Sequence, residues 1–162
     1  MKRIALLFAL VAVIAVPVAG TSFAASTKTI VGVAAGDPQL STLVTLVKKA
    51  GLVKALSGTT KLTVFAPDNA AFAALPKSTL TKLAKDPKLL AKILEYHVLP
   101  GVVPASKVVK LTSATTLEGA TVQFSVKHGH AYINSSEIIQ TNIPASNGIV
   151  HVINAVLSPP TQ

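Results

Sequence analysis

Histidines and carboxylates are the side chains of this chain that could perform acid–base or metal chemistry, and there are few of them. The 162 residues contain four His, six Asp or Glu, and no Cys. His128 and His130 flank Gly129, and two imidazoles at this spacing could supply part of a zinc or copper site. Since no acid nearby in the sequence completes a ligand set, we predict an exposed turn here and no bound metal.

The carboxylates are too dispersed to suggest a catalytic pair. Three fall where helices or turns are expected to start, and three are isolated: Asp37, Asp68, Asp86, Glu95, Glu118 and Glu137. The chain has no G-x-S-x-G elbow, no phosphate-binding glycine loop and no H-E-x-x-H. A serine–histidine arrangement stays open, because such a site is defined by geometry and not by order. We predict that the chain is not an enzyme and needs no cofactor.

Tyr96 and His97 are adjacent at the expected end of a helix, just before Pro100 and Gly101. They could form an exposed recognition pair. They could equally be a packed ring and a hydrogen-bonded histidine that turn the chain, since buried polar rings normally find partners. His151 lies in an apolar strand, and we predict a core histidine there. Asn134 begins an N-x-S pattern, which matters only if the chain passes through a glycosylating secretory pathway.

The chain is strongly basic, with 15 Lys and Arg against six acids and a formal charge of +9. Most of the lysines fall in the first, helical half: Lys48, Lys49, Lys54, Lys61, Lys77, Lys82, Lys85, Lys88 and Lys92. A basic face there would attract an anionic polymer or lipid headgroup with strong salt sensitivity, or would only aid solubility. Nucleic acid is a poor partner, because the one Arg is Arg3 and few aromatic rings are available for stacking.

The first 24 residues resemble an export signal. Lys2 and Arg3 precede an apolar run of about 15 residues, which is shorter than the ~20 needed to span a bilayer. Small residues around Ala24 suit a signal peptidase, and cleavage after Ala24 leaves 13 Lys against six acids, a charge of +7. We therefore predict a signal peptide (1–24), a short leader (25–28) and one domain (29–160). The chain would be secreted, periplasmic or at the cell surface, with no membrane span after cleavage.

Helical periodicity fills the first half of that domain, and β-strand patterns fill the second. Residues 38–50 carry an apolar face and end at Gly51, where a left-handed terminus is expected. Further helices are predicted over 70–75, 78–85 and 87–96, and strands over 62–66, 121–126, 131–133 and 149–157. The last strand is nearly all apolar and should be buried on both faces. Helices first and strands later indicate an α+β domain.

Three segments resemble the fasciclin-like domain family. Residues 63–72, TVFAPDNAAF, are similar to its first signature; residues 96–101, YHVLPG, to its central Tyr-His element; and residues 146–154, SNGIVHVIN, to its second signature. They occur in the family order, and the resemblance covers nearly all of the predicted domain. It implies a wedge of two small β-sheets packed against each other, with a helical layer along one edge.

The resemblance also implies a function and a set of contact residues. Family members are mostly secreted or surface-anchored adhesion and matrix domains, and are not generally enzymes. Integrin contact in animal members is attributed to the Tyr-His element and to an aspartate–isoleucine pair, which correspond here to Tyr96 and His97 and to Asn142 and Ile143. Asn142 stands where that pair has its acid, and an integrin metal site requires a carboxylate.

Two functions therefore follow from the sequence. The first is a monomeric adhesion or matrix-interaction domain that contacts a cell-surface protein or an anionic envelope polysaccharide or lipid. Contact would use residues 96–101, a loop of residues 142–146, or a basic face that includes Lys85, Lys88 and Lys92. The alternative is a secreted carrier that binds a lipid or small hydrophobic ligand in an apolar cleft between sheets and helices.

Overall fold

A computed structural model describes residues 28–159 and shows an α+β domain. The helices within these residues are α1 (Ile30–Gly36), α2 (Ser41–Ala50), α3 (Val53–Leu56), α4 (Asn69–Ala73), α5 (Lys77–Lys85), α6 (Pro87–Tyr96) and α7 (Ala105–Val108), with a 3-10 turn at Pro38–Leu40 before α2. The strands are β1 (Leu62–Pro67), β2 (Val98–Pro100), β3 (Ser113–Thr115), β4 (Thr121–Lys127), β5 (His130–Ile133), β6 (Ser136–Ala145) and β7 (Gly148–Ile153). The predicted signal peptide, and the predicted leader as far as residue 27, lie outside the described residues.

Aspartates start three of the helical segments, as their positions in the sequence predict. The carboxylate of Asp37 accepts the Gln39 N–H, that of Asp68 accepts the Ala71 N–H, and that of Asp86 accepts two N–H groups at the start of α6. Each bond satisfies a backbone donor that has no partner within its helix. At the other end of α2, Gly51 adopts φ +73° and its N–H returns to Lys48. The predicted left-handed terminus is thereby confirmed.

The seven strands form one continuous series in the order β2-β1-β7-β6-β5-β4-β3. The central pair, β1 and β7, is parallel, and every other neighbouring pair is antiparallel. Strand β6 joins the two halves, because it pairs with β5 at its start and with β7 over a longer, twice-irregular stretch. The predicted α+β fold is confirmed, and β6 belongs to both halves of the strand series.

Two hydrophobic clusters lie on opposite faces of β1. Leu62, Val64 and Ala66 contact the cluster under the helical layer, and Phe65 belongs to the cluster enclosed by β2, β4, β5 and β6. This division follows from strand geometry, because successive side chains point to opposite faces. Strand β7 is buried along its whole length, as predicted, although it ends at Ile153 and not at residue 157. The helical layer and the strand half therefore pack against a common, fully buried pair of strands.

Several elements were not predicted, among them α1, β2, α7, β3 and β6. Helix α1 is too short for a clear periodicity, and it forms because Thr29 Oγ1 caps it and the Ile30 N–H donates to Asn147 Oδ1. Strand β6 runs to Ala145, so most of the predicted loop of residues 142–146 is strand, and that expectation was wrong. No single helix in the described part of the chain is long and apolar enough to cross a bilayer. Ile30–Gly36 and Pro38–Ala50 reach that length only as a pair bent by 108°.

Gly148 brings β7 against β1. A Cβ at this position would lie 1.7 Å from the carbonyl oxygen of Leu62, and the two nearest further atoms also belong to the Leu62 backbone. A backbone contact of this kind cannot be relieved by rotating a side chain, so only glycine allows the strands to pair in this register.

We expect Gly148→Ala to lower the free energy of unfolding by at least about 3 kcal/mol, at the upper end of single-substitution effects, because the strands must separate. Urea unfolding measures the change. Gly58→Ala is the matched control, since its Cβ would meet its nearest atom at an ordinary 3.6 Å. Equal unfolding midpoints for the two variants would contradict the close contact.

Candidate functional site

Tyr96 is the last residue of α6, and its ring lies inside the strand half of the molecule. The side chain is 2% exposed and belongs to the second hydrophobic cluster. Its hydroxyl donates to the Thr121 carbonyl at 3.2 Å and accepts from the amide of Asn134 at 3.1 Å. The ring therefore links helix α6 to strand β4 and to the turn that follows β5.

His97 joins helix α6 to the C-terminal segment. Its Nδ1 lies 2.7 Å from the Ile93 carbonyl oxygen, and its Nε2 accepts the N–H of Leu157 at 2.9 Å. Because an amide N–H can only donate, the ring must be neutral with its hydrogen on Nδ1. Burial lowers the pKa of His97 from 6.5 to about 4, and the bond to Ile93 opposes that change only in part.

His151 on β7 is the second buried histidine, as predicted, and it has the opposite hydrogen placement. Its Nδ1 accepts the N–H of Asn142 at 3.2 Å, so Nε2 carries the hydrogen and donates to the Val103 carbonyl at 2.8 Å. Burial lowers the pKa of this ring as well. The ring stacks on Phe65 with centroids 5.3 Å apart. Both buried histidines thus tie chain segments together in their neutral forms.

Asn142 and Ile143 lie in the irregular part of β6. Asn142 adopts φ +56°, a conformation that asparagine tolerates better than most residues, and its Oδ1 accepts the Ala105 N–H at 3.0 Å. Ile143 is half-buried against the helical cluster. The side chain of Asn142 is therefore engaged with α7.

The four residues carried over from the family are thus not an open contact surface. The rings of Tyr96 and His97 are in the core, so of the two arrangements that the sequence left open, the structure has the packed and hydrogen-bonded pair. Asn142 and Ile143 are partly covered. The sequence could not decide this, because the groups that bind the Tyr96 hydroxyl lie 25 and 38 residues away along the chain. Partner contact near residues 96–101 stays a prediction, without these two side chains as its direct contacts.

The lysines of α5 and α6 are exposed, as predicted. We call them the lysine surface: Lys77, Lys82, Lys85, Lys88 and Lys92. Lys88 and Lys92 share one face of α6, because they are four residues apart. In the part of the chain that the structure describes, none of the five forms an ion pair, and the carboxylate of Asp86 between the helices is bound to backbone N–H groups. Their charge is directed to solvent.

The histidine hairpin forms the predicted turn, with His128 at φ +52° and Gly129 at φ +82°. The structure adds a partner that the sequence did not indicate, because His130 Nδ1 lies 2.7 Å from Glu137 on the next strand. Among residues 28–159, no group of three His, Asp or Glu side chains could hold a metal ion.

The apolar cleft expected for a carrier is nearly filled. A cavity of about 20 Å³ lies between α1, α2, β1 and β7, which is room for one water molecule and far below the ~300 Å³ of a small ligand pocket. A larger, open groove of about 510 Å³ lies on the surface beside α4, lined in part by Asp68, Asn69 and Ile139. The Asn69 amide is engaged with Pro38 and the start of α2.

The polar side chains in the interior of the described domain are hydrogen-bonded to other groups of the same domain. Over the described residues, no buried side-chain nitrogen or oxygen lacks a hydrogen-bond partner. The chain is therefore an α+β domain. Its buried polar side chains are hydrogen-bonded within the described residues, and its helical layer carries exposed lysines. The model of the fasciclin domain matches residues 38–159, and the chain belongs to the fasciclin domain family.

Relatives and a solved structure agree with this assignment. Protein sll1483 of Synechocystis is 46% identical over 137 residues, which cover 83% of this chain and 76% of that protein. The cell surface glycolipoprotein MPB83 of Mycobacterium bovis is 35% identical over 134 residues, covering 80% of this chain and 60% of that protein. A FAS1 domain pair from the insect cell adhesion molecule Fasciclin I has the same fold, with a TM-score of 0.67, 20% identity, and coverage of 85% of this chain and 52% of that one.

We expect the stability of the domain to fall as the pH drops below neutrality. The folded-state pKa of His97 lies below its unfolded value of 6.5, so its contribution is complete above pH 6.5 and is lost as the pH falls through about 4. The loss amounts to about 3 kcal/mol, because each unit of pKa difference is ~1.4 kcal/mol. His97→Gln should be less stable at pH 7 but should lose less stability between pH 7 and pH 4.

Urea unfolding at a series of pH values measures this difference. His128→Gln, at an exposed turn, is the control and should follow the wild-type pH dependence. A pH dependence for His97→Gln that is as steep as that of the wild type would contradict the assignment.

We expect Tyr96→Phe to lower the free energy of unfolding by about 1–2 kcal/mol, because the Thr121 carbonyl loses its donor and the Asn134 amide its acceptor. Thermal unfolding checks this value. Tyr132→Phe is the matched control, because that hydroxyl has no hydrogen-bond partner among the described residues. Equal effects of the two substitutions would contradict a structural role for the Tyr96 hydroxyl.

Proposed function

We propose that this chain is a non-enzymatic adhesion-type domain that works outside the cytoplasm and binds an anionic polymer of a cell envelope or matrix through the lysine surface. Family membership supports the adhesion-type role, since a structural neighbour comes from a cell adhesion molecule and a relative is a cell surface glycolipoprotein. The signal-like N-terminus supports export.

One observation supports the lysine surface as the contact. Five exposed lysines on two adjacent helices have no carboxylate partner among the described residues, so their charge is available to a ligand. The residues that the family resemblance favoured, Tyr96 and His97, are buried and already hydrogen-bonded. The lysine ammonium is a compact, strongly hydrated charge on a flexible side chain and has no preferred planar geometry, which suits a repeating anionic polymer better than one shaped ligand.

Catalysis is no part of the proposal. Both ring nitrogens of each buried histidine are hydrogen-bonded to backbone groups. The carboxylates of the aspartates at the helix starts accept hydrogen bonds from backbone N–H groups. Neither set is free to exchange protons with a substrate. The apolar cavity has a volume of only about 20 Å³, so it does not favour the carrier alternative.

We expect the secreted chain to bind cells of the producing organism and their extracted anionic polysaccharide. The triple variant Lys85→Gln/Lys88→Gln/Lys92→Gln should weaken binding by roughly tenfold or more at low salt and should flatten its salt dependence. Equilibrium binding to the immobilised polysaccharide at several salt concentrations measures both quantities.

The matched control removes the same charge elsewhere. Lys48, Lys49 and Lys54 are exposed on α2 and α3, and their Gln triple variant leaves the lysine surface intact. It should bind almost as the wild type does. Equal losses in both variants would show that net charge acts without a site, and no binding by the wild type at low salt would refute the proposed partner.

A further inference from the structure

The exposed apolar side chains of this domain are concentrated in one segment. Four of the seven large hydrophobic residues that are exposed within residues 28–159 lie between residues 101 and 117, which we call the 101–117 loop: Val102 (38%), Val109 (49%), Leu111 (37%) and Leu117 (45%). The other three are single residues on α6, β4 and β6. Grouped exposed apolar side chains mark interaction surfaces, whereas scattered ones need no explanation.

The loop starts and ends on the same short strand. Gly101 directly follows β2 and donates its N–H to the Lys61 carbonyl, and Leu117 donates its N–H to the Val98 carbonyl, each at 2.9 Å. Val98 and Gly101 are three residues apart, which is about 10 Å along a strand. The two ends of the loop therefore lie near each other beside β2, with α7 and β3 between them.

The loop is anchored by a buried side chain and by hydrogen bonds, and its apolar side chains are exposed in this anchored conformation. Val108 of α7 is 2% exposed and packs in the second cluster. The Ala105 N–H donates to Asn142 Oδ1, and the Thr112 carbonyl accepts the Phe124 N–H at 2.9 Å. One valine thus anchors the loop in the core, while its neighbour Val109 and the nearby Leu111 stay in contact with solvent.

The charge of the loop indicates what covers this surface. Lys107 and Lys110 are exposed among the aliphatic residues, and positions 101–117 contain no acid. Neither lysine has an ion-pair partner in the described part of the chain. The loop also lacks Tyr, Trp and Arg, the residues that supply most of the binding energy in protein interfaces.

Aliphatic side chains interleaved with lysines match the boundary of an anionic bilayer. The apolar groups can enter the region between headgroups and acyl chains, and lysines near the surface gain about 1 kcal/mol each from anionic lipid. We propose that the 101–117 loop is a docking surface for an anionic lipid membrane. This contact is separate from the lysine surface of α5 and α6 and does not depend on it.

Vesicle co-sedimentation tests the proposal with the secreted form of the full chain, after mass spectrometry has defined its N-terminus. The probes are phosphatidylcholine vesicles with and without phosphatidylglycerol. We expect binding only to the anionic vesicles. Val109→Ser/Leu111→Ser should weaken it by roughly tenfold or more, and Lys107→Gln/Lys110→Gln by roughly tenfold. All four side chains are exposed, so thermal unfolding should show intact folds.

Matched controls remove the same groups outside the loop. Leu89→Ser/Val126→Ser deletes two exposed aliphatic side chains, and Lys48→Gln/Lys49→Gln deletes two exposed charges outside both proposed surfaces. Both should bind anionic vesicles as the wild type does. The proposal is overturned if the wild type does not sediment with anionic vesicles, if the loop variants bind undiminished, or if the controls lose as much binding as the loop variants. Polysaccharide binding by the loop variants reports on the lysine surface alone, so the two proposals fail separately.

Discussion

The contact between Asn147-Gly148 and β1 is the constraint on which the rest of the structure depends. Gly148 allows β7 to lie against the Leu62 backbone, and the Asn147 carbonyl accepts the Leu62 N–H. The buried side chain of Asn147 accepts the Ile30 N–H and donates to the Leu56 carbonyl. Two adjacent residues near the C-terminus therefore position α1, α3 and β1. Because β1 and β7 are parallel and about 80 residues apart, all intervening elements form one long crossover between them.

The buried polar residues form hydrogen bonds between elements of that crossover that strand pairing does not connect. His97 connects α6 to the segment after β7, and His151 connects β7 to β6 and to Val103. Thr63 acts in the same way, since its buried hydroxyl donates to Gly101 and accepts from Val103 at 2.8 Å each. Polar groups in a core are costly unless they are satisfied, and satisfied groups fix one arrangement of their neighbours. Thr63 and His151 thus hold the start of the 101–117 loop, while the rings of Tyr96 and His97 lie in the core.

Local signals made much of the fold predictable, and long-range contacts account for what was missed. Aspartates at helix starts, Gly51 after α2 and the apolar run of β7 act within a few residues, so their structures could be predicted from the sequence. Strand β6 could not, because Asn142 at positive φ and two irregularities interrupt its alternation. The burial of Tyr96 depends on Asn134 and Thr121, and the His130–Glu137 pair on the pairing of β5 with β6. Spacing in the sequence carries no signal for such contacts. The exposure of Lys85, Lys88 and Lys92 followed from helix geometry alone.

The basic surfaces of the domain result from its excess of lysines, because among the described residues the six acids do not pair with them. Asp37, Asp68 and Asp86 bind backbone N–H groups at helix starts, Glu118 binds the Ala120 N–H, and Glu137 pairs with His130. Five of the six carboxylates are therefore engaged with the backbone or with a histidine, and none of these bonds neutralises a lysine. The lysines of α5, α6 and α7 face solvent, and none of them forms an ion pair within residues 28–159. A positive field of this kind reaches about one Debye length, or ~10 Å at moderate salt, so it attracts anionic surfaces before any specific contact forms. The excess of lysines over acids thus underlies the proposed binding of anions by the domain.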